Sequence, residues 1–186
     1  MERADQKWAA LVGHPSTGSD AIRRLDAHVQ GGEGGILIFR YVLRAAMAHV
    51  RIPPEGAGDR ADGLWKHTCF EAFIAVSGTP GYYELNFSPS RQWAIYGFDA
   101  YREGMSPVEL AVAPEISARR FDDRLEIEAV VGLGELAVRR DSGPLRLALS
   151  AVVEEDSGTL SYWALKHAPG KPDFHHPAGF VLELAT

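Results

Sequence analysis

Leu37-Ile38-Phe39-Arg40-Tyr41-Val42-Leu43-Arg44 sets Leu37, Phe39, Tyr41 and Leu43 on one register and a second set containing Arg40 and Arg44 on the other. Side chains of an extended chain point alternately to opposite faces, so a period of two describes a strand with one face on a core and one toward water. The pattern recurs. Leu125, Ile127, Ala129 and Val131 alternate with Glu126 and Glu128, and Leu145, Leu147, Leu149, Ala151 and Val153 alternate with Arg146, Ser150 and Glu154.

Turn chemistry separates these runs at short intervals. Ser88-Pro89-Ser90 divides Tyr82–Phe87 from Gln92–Phe98, and Asp122-Asp123 divides a strand near Ile116 from Leu125–Val131. Glu155-Asp156-Ser157-Gly158 closes a hairpin between Leu145–Glu154 and Leu160–Leu165. Gly31-Gly32-Glu33-Gly34-Gly35 is a flexible turn before Ile36, and Pro53-Pro54 through Gly63 is a loop. No segment holds an apolar stripe at helical spacing. Val42 to His49 is the nearest candidate, and Leu133 to Val138 allows a short helical turn. The count is nine to eleven strands at sandwich spacing, so the fold class is an all-β antiparallel β-sandwich formed by residues 1–186 as one domain.

Composition narrows the function classes. The 19 Lys and Arg against 25 Asp and Glu leave a net charge of -6, which argues against nucleic acid, since phosphate binding needs clustered excess basic residues. Apolar runs are strand-sized, so no membrane span is expected. Met1 to Ala10 lacks the apolar core and cleavage site of a signal peptide, and one cysteine, Cys69, cannot form an internal disulfide. Both point to a reducing, cytoplasmic setting. The oligomeric state stays open.

Signatures of catalysis are sparse. There is no G-x-S-x-G elbow and no Gly-rich loop ending in Gly-Lys-Ser/Thr. Gly31–Gly35 precedes a strand, so no helix N-terminus is at hand to hold phosphate. Paired-cysteine zinc spacing is also missing.

Three segments carry residue types suited to a ligand. In Leu64-Trp65-Lys66-His67-Thr68-Cys69-Phe70-Glu71-Ala72-Phe73, a strand would put Trp65, His67, Cys69, Glu71 and Phe73 on one face. An indole can cover the C–H face of a polar ring while a carboxylate accepts from its hydroxyls. The plainer alternative has Trp65 packing over a sandwich edge and Glu71 pairing with an arginine. In Ser161-Tyr162-Trp163-Ala164-Leu165-Lys166-His167, Trp163 and His167 share a strand face, and Pro172-Asp173-Phe174-His175-His176 follows. Imidazoles and a carboxylate so close together could hold a transition metal, but no fixed zinc spacing is matched, and such clusters often serve structure. No metal site is assigned. Between these segments, Trp93-Ala94-Ile95-Tyr96-Gly97-Phe98-Asp99-Ala100-Tyr101-Arg102 reads either as aromatic packing on a sheet face or as a groove wall in which Arg102 offers a forked donor.

The stretches Leu64–Glu71, Tyr83-Glu84-Leu85-Asn86-Phe87-Ser88-Pro89, Trp93-Ala94-Ile95-Tyr96, Ser161–Leu165 and Pro172-Asp173-Phe174-His175 together resemble a group of bacterial DOMON-like proteins, itself similar to the family nine carbohydrate-binding modules. The likeness covers about Leu64 to Leu184 and, loosely, the first sixty residues. It implies a β-sandwich and a sugar clamped between two tryptophans helped by charged and amide side chains. Trp65 and Glu71 look like part of that arrangement. Trp163 is the first candidate for the second tryptophan and Trp93 the second. Some such modules carry calcium, but no acidic calcium loop is evident here. Other DOMON-like proteins bind haem through Met with His or Lys. With Met47, Met105 and several histidines haem is chemically allowed, although no cofactor is expected.

Three functional readings follow. The first is a non-catalytic module for a saccharide or polyhydroxylated metabolite, using Trp65, Glu71, Trp163, His67, Trp93, Arg102, His167, Asp173 and His175. The second is a haem-binding or redox protein. The third is a metal- or His/Asp-dependent enzyme built on His167, Asp173 and His175.

Overall fold

The computed structural model describes residues 8–76, 78–136 and 144–184. Twelve antiparallel strands run in chain order: β1 Ala9–Gly13, β2 Ile22–Gly32, β3 Ile36–Ala45, β4 Cys69–Val76, β5 Tyr82–Phe87, β6 Trp93–Phe98, β7 Ser106–Pro107, β8 Glu115–Arg120, β9 Arg124–Gly132, β10 Leu145–Glu154, β11 Leu160–Ala164 and β12 Leu182–Leu184. They form one continuous ribbon in the order β7-β6-β5-β4-β10-β11-β1-β2-β3-β9-β8, with β12 alongside the start of β10. The count exceeds nine to eleven because the two-residue β7 and three-residue β12 are too short for periodicity to register.

Helix is confined, among the described residues, to single 3-10 turns, and none is long and apolar enough to cross a membrane. Val42 to His49 is not a helix: β3 continues to Ala45, and Met47–His49 forms a 3-10 turn. Leu133–Glu135 is a 3-10 turn, and the remainder of the expected turn to Val138 lies outside the described residues. Leu64–Lys66 is also a 3-10 turn, so β4 begins at Cys69 and not near Trp65. Gly63 enters that turn at φ 75°, a conformation that disfavours side chains with a Cβ.

β1 joins the halves of the ribbon. Its Ala9–Leu11 pair with β2, while Val12 and Gly13 pair with Ala164 and Trp163 of β11. The halves then fold face to face. Leu37, Phe39, Tyr41 and Leu43 of β3 and Leu125, Ile127, Ala129 and Val131 of β9 meet Phe70, Ala72 and Ile74 of β4, Leu85 and Phe87 of β5, and Leu147 and Leu149 of β10. The Phe39 and Phe87 rings lie 5.5 Å apart and those of Tyr41 and Phe70 5.2 Å, and the Tyr41 hydroxyl donates to the Glu71 carbonyl at 2.7 Å.

The outward faces differ. On the β2-β3-β9 half, charged residues pair across strands, as in Arg40 Nε with Glu128 Oε2 at 2.6 Å and Arg44 Nη1 with Asp26 Oδ2 at 2.9 Å. The other half has its second face roofed. Phe73, Tyr82, Ala94, Tyr96, Phe98, Ala148 and Phe180 form a second buried cluster, against which Leu64, Trp65 and Phe174 pack. β4, β5, β6 and most of β10 are thus buried on both faces, so polar residues on the second face, such as Glu71, Glu84, Asn86 and Ser150, lie out of water although alternation alone would turn them toward it.

Phe39→Ala is expected to cost about 3–5 kcal/mol by leaving a cavity between the sheets. Tyr41→Phe is expected to cost about 1–2 kcal/mol by removing the donor to a buried carbonyl. Urea unfolding measures both, and a Tyr41→Phe variant as stable as the parent would show that this bond contributes nothing.

Candidate ligand-binding site

The roofed face alternates with the core face strand by strand. On β4 it receives Cys69, Glu71 and Phe73, and on β5 Tyr82, Glu84 and Asn86, since Phe70, Ala72, Ile74, Leu85 and Phe87 take the core side. Cross-strand register sets Glu71 opposite Asn86 on one side and Ser150 on the other, and Glu84 opposite Phe73 and Tyr96. Two carboxyl groups therefore sit within one small patch of sheet, 3 % and 5 % exposed.

Above this patch is a cavity of about 330 Å³. Glu71 and Glu84 contribute to its floor, and Trp65, Phe98, Tyr162 and Phe174 supply aromatic wall, with Arg102, Met105 and His175 completing the rim. Trp65 stands edge-on to Tyr96 with ring centres 5.7 Å apart, and Tyr162 is tilted against Phe174 at 6.0 Å.

A relay of hydrogen bonds holds the rim. Arg102 sits in the left-handed region, φ 57°, within a turn in which the Glu103 N–H donates to the Ala100 carbonyl. Gly104 follows it because a Cβ there would lie 2.1 Å from Asp99 Oδ2. The Arg102 backbone N–H donates to the Tyr82 hydroxyl at 3.2 Å, and that hydroxyl is 2.8 Å from His175 Nδ1. The Tyr82 proton is free to be donated to Nδ1, which leaves the imidazole proton on Nε2, 3.5 Å from Glu84 Oε2. Arg102 Nη2 donates to Asp173 Oδ1 at 2.7 Å, the Tyr101 hydroxyl donates to Asp173 Oδ2, and the His175 N–H donates to Asp173 Oδ1 at 3.1 Å.

Protonation follows from these surroundings. Burial, reinforced by the neighbouring Glu84 charge, holds the Glu71 carboxyl well above the usual carboxylate range. Burial also raises Glu84, but the hydrogen bond from Asn86 Nδ2 and the Arg102 charge oppose it. Burial and then Arg102 bring His175 down to about 4, so its ring is neutral. Although burial opposes its ionisation, Asp173 is held below the ordinary range by the bonds from Tyr101 and Arg102. Glu71 Oε1 is buried without a hydrogen-bond partner, and so is Ser150 Oγ opposite it.

Of the residues expected from sequence, Trp65, Glu71, Arg102 and His175 come together around the cavity, and Asp173 anchors Arg102. Four others lie elsewhere. Mostly exposed His67 bonds through Nδ1 to Glu154 Oε2 at 2.7 Å, and it is Glu154, not Glu71, that pairs with an arginine, Arg51. Trp93 is buried in the core between the sheets. Trp163 also packs on the core side, beside Gly13, with its indole N–H donating to Ser161 Oγ at 3.0 Å. His167 Nε2 donates to the Val12 carbonyl at 2.8 Å, and the ring lies edge-on to His14. The side chains of the His167–His176 segment diverge, His176 Nδ1 accepting from the Ala178 N–H.

The expected ligand-binding residues did not include Glu84, Phe98, Met105, Tyr162 and Phe174, although all but Met105 lie in the segments singled out and Met105 was considered only as a haem ligand. Tyr162 was one residue from view: strand alternation turns it to the cavity and Trp163 to the core. For Glu84 the signal was the polar pair Glu84 and Asn86 at period two inside an otherwise apolar strand.

A second hollow of about 290 Å³ lies on the opposite half, bordered by Trp8, Arg40, Ser117, Arg119, Glu126 and Glu128. Arg40 and Glu128 satisfy each other there, and none of its side chains has a buried unpartnered polar atom.

No protein-family model and no curated protein sequence matches the chain. Solved structures do. A candidate carbohydrate-binding protein from Bacteroides uniformis aligns over 94% of this chain and 84% of its own, with a TM-score of 0.69 at 16% identity. A family nine carbohydrate-binding module from Caldicellulosiruptor kristjanssonii in complex with cellotriose aligns over 89% and 75%, with a TM-score of 0.54 at 8% identity. A family nine module from the same organism in complex with glucose aligns over 91% and 81%, with a TM-score of 0.50 at 10% identity. At these identities the likeness establishes a shared fold, that of the family nine modules.

Two titrations check the electrostatics. A raised Glu71 pKa means that the stability tied to its proton is full below the unfolded carboxyl range and is lost as pH rises toward the folded value. Glu71→Gln is therefore expected to raise the thermal midpoint at about pH 8 and to change it much less at about pH 4. For His175 the sign reverses: with the folded pKa at about 4, stability is full above the ordinary histidine range and falls, by up to about 3 kcal/mol, as pH drops from about 6.5 toward 4. An NMR titration that found the His175 ring protonated at about pH 6 would contradict the assigned network.

Proposed function

We propose that this chain is a non-catalytic binding domain for a small saccharide or similar polyhydroxylated compound, held in the cavity over β10, β4, β5 and β6. The observation that carries this reading is the Glu71 carboxyl, buried in the cavity lining with Oε1 lacking a partner. An unsatisfied buried polar atom costs about 1–3 kcal/mol, and a ligand hydroxyl entering the cavity would remove that cost. Neutral Glu71 can both donate to and accept from hydroxyls, and Trp65, Phe98, Tyr162 and Phe174 offer apolar surface to the C–H faces of a ring. Matches among sugar-bound modules of the same fold support the same ligand class.

The haem reading has less support. Met47 is buried in the core at 2 % exposure. Met105 does border the cavity with His175, but both nitrogens of that imidazole are directed at protein groups, Tyr82 and Glu84. An acid–base enzyme centred on His167, Asp173 and His175 has less support still, because Asp173 is bound to Arg102 and Tyr101, and His167 to Val12. A cytoplasmic setting accords with a lone, buried thiol at Cys69, pushed well above its usual range by burial.

Calorimetric titration with glucose, cellobiose and a wider panel of neutral mono- and disaccharides tests the proposal. Binding is expected to weaken by about tenfold or more in Trp65→Ala, which removes a cavity wall, and in Glu71→Leu, which removes the polar floor. Trp163→Ala should lower stability while leaving affinity within about twofold, because Trp163 faces the core. Sugar binding that survives Trp65→Ala and Glu71→Leu but fails in a folded Trp163→Ala would move the site elsewhere.

A further inference from the structure

Four segments bring ionisable groups to the cavity. β4 supplies Glu71, β5 supplies Glu84, the turn after β6 supplies Arg102, and the segment before β12 supplies His175, with Cys69, Tyr82 and Asp173 close behind the lining. Cys69 and Tyr82 are neutral, both pushed up by burial, and His175 is neutral. Arg102 and Asp173 are bound to one another and largely cancel.

That leaves Glu71 and Glu84. The groups nearest Glu84 are the Asn86 amide at 2.9 Å and the neutral His175 ring at 3.5 Å, neither of them charged, and the Arg102 charge that also acts on it is shared with Asp173. Oε1 of Glu71 has no donor at all. Two carboxyls in so dry a floor repel when both ionise, so the pair retains a proton and carries at most about one negative charge, and Arg102, the cation on the rim, is already bound to Asp173. Buried charge normally has a partner, because leaving it unpaired costs several kcal/mol.

A cation entering from solution would provide that partner, and the aromatic surfaces of Trp65, Phe98, Tyr162 and Phe174 around the carboxyls also attract positive charge. A bare metal ion is poorly served, since among the described residues no three His, Cys, Asp or Glu side chains converge to hold one. An ammonium on a hydroxylated ring suits both the floor and the walls.

We infer that the cavity prefers a saccharide or polyol bearing a protonated amine, such as a hexosamine, over its neutral and N-acylated counterparts. This rests on the saccharide reading above and names the class of sugar. The ammonium pairs with the ionised carboxylate while the other carboxyl of the pair keeps its proton, so charge in the cavity ends near balance. The C–H faces of the ring meet the aromatic walls.

Isothermal titration of the full chain with D-glucosamine, D-glucose and N-acetyl-D-glucosamine decides the matter, run at about pH 6 where the free amine is charged and again at about pH 9 where it is largely neutral. At about pH 6 glucosamine is expected to bind about tenfold or more tighter than the other two, and at about pH 9 that preference should fall to about twofold or less. In Glu84→Gln that preference should fall to about twofold or less. Should that variant fail to fold, the pH dependence of the preference in the unaltered protein carries the test. Glucose or N-acetylglucosamine binding as tightly as glucosamine at about pH 6, or a glucosamine preference that persists at about pH 9, overturns the inference and leaves the saccharide reading in place. Silence from all three and from the neutral panel removes both.

Discussion

β4 buries Phe70, Ala72 and Ile74 against the facing half of the sandwich and Cys69, Glu71 and Phe73 beneath the segments that cross its other side. A strand in an open antiparallel sandwich ordinarily keeps one face wet, so its polar set can stay ionised and hydrated. Here that option is removed. Every polar group on the second face of β4 and β5 must find a protein partner, wait for a ligand, or stay protonated. Asn86 finds Glu84, Tyr82 finds His175, and Glu71 keeps its proton.

The same constraint ties core and site together. The Tyr41 hydroxyl reaches from β3 through the core to the carbonyl of Glu71, the residue whose side chain borders the cavity on the other face. Glu71 is therefore fixed by packing on one side and by the ladder to Asn86 and Ser150 on the other. Such a residue offers a ligand a pre-positioned group at little further entropic cost, which is how rigid sheets serve as binding platforms. The rim is built differently. Arg102 and His175 are held by a network of hydrogen bonds from loops, with Asp173 and Tyr82 as hubs, so loop variation can change selectivity without disturbing the sheet.

Much of the fold was legible from local pattern because strand periodicity is a local property. The alternation in Leu37–Arg44, Leu125–Val131 and Leu145–Val153 named the core faces of β3, β9 and β10 correctly, and the turn at Glu155–Gly158 located the β10-β11 hairpin. At the site the record divides by mechanism. Trp65 was expected on a strand face with Glu71, and it borders the cavity beside Glu71 from a 3-10 turn instead, because Gly63 and the turn at Leu64–Lys66 break the strand before Cys69. Trp163 and Trp93 were weighed by residue type, yet facing is set by register, and register put Tyr162 and Phe98 on the roofed side.

The sequence by itself determined that this chain makes antiparallel strands, which positions face a core, and that an aromatic and carboxylate set lies between Leu64 and Phe73, since propensity and alternation act over a few residues. Only the tertiary structure decided that one half of the sandwich is covered on its second face. It also decided that Glu71 and Glu84, thirteen positions apart, share one dry floor, and that residues from 172–175 complete its rim. Those outcomes depend on pairings between distant strands and on loops folding back over the sheet, and no window of sequence contains them.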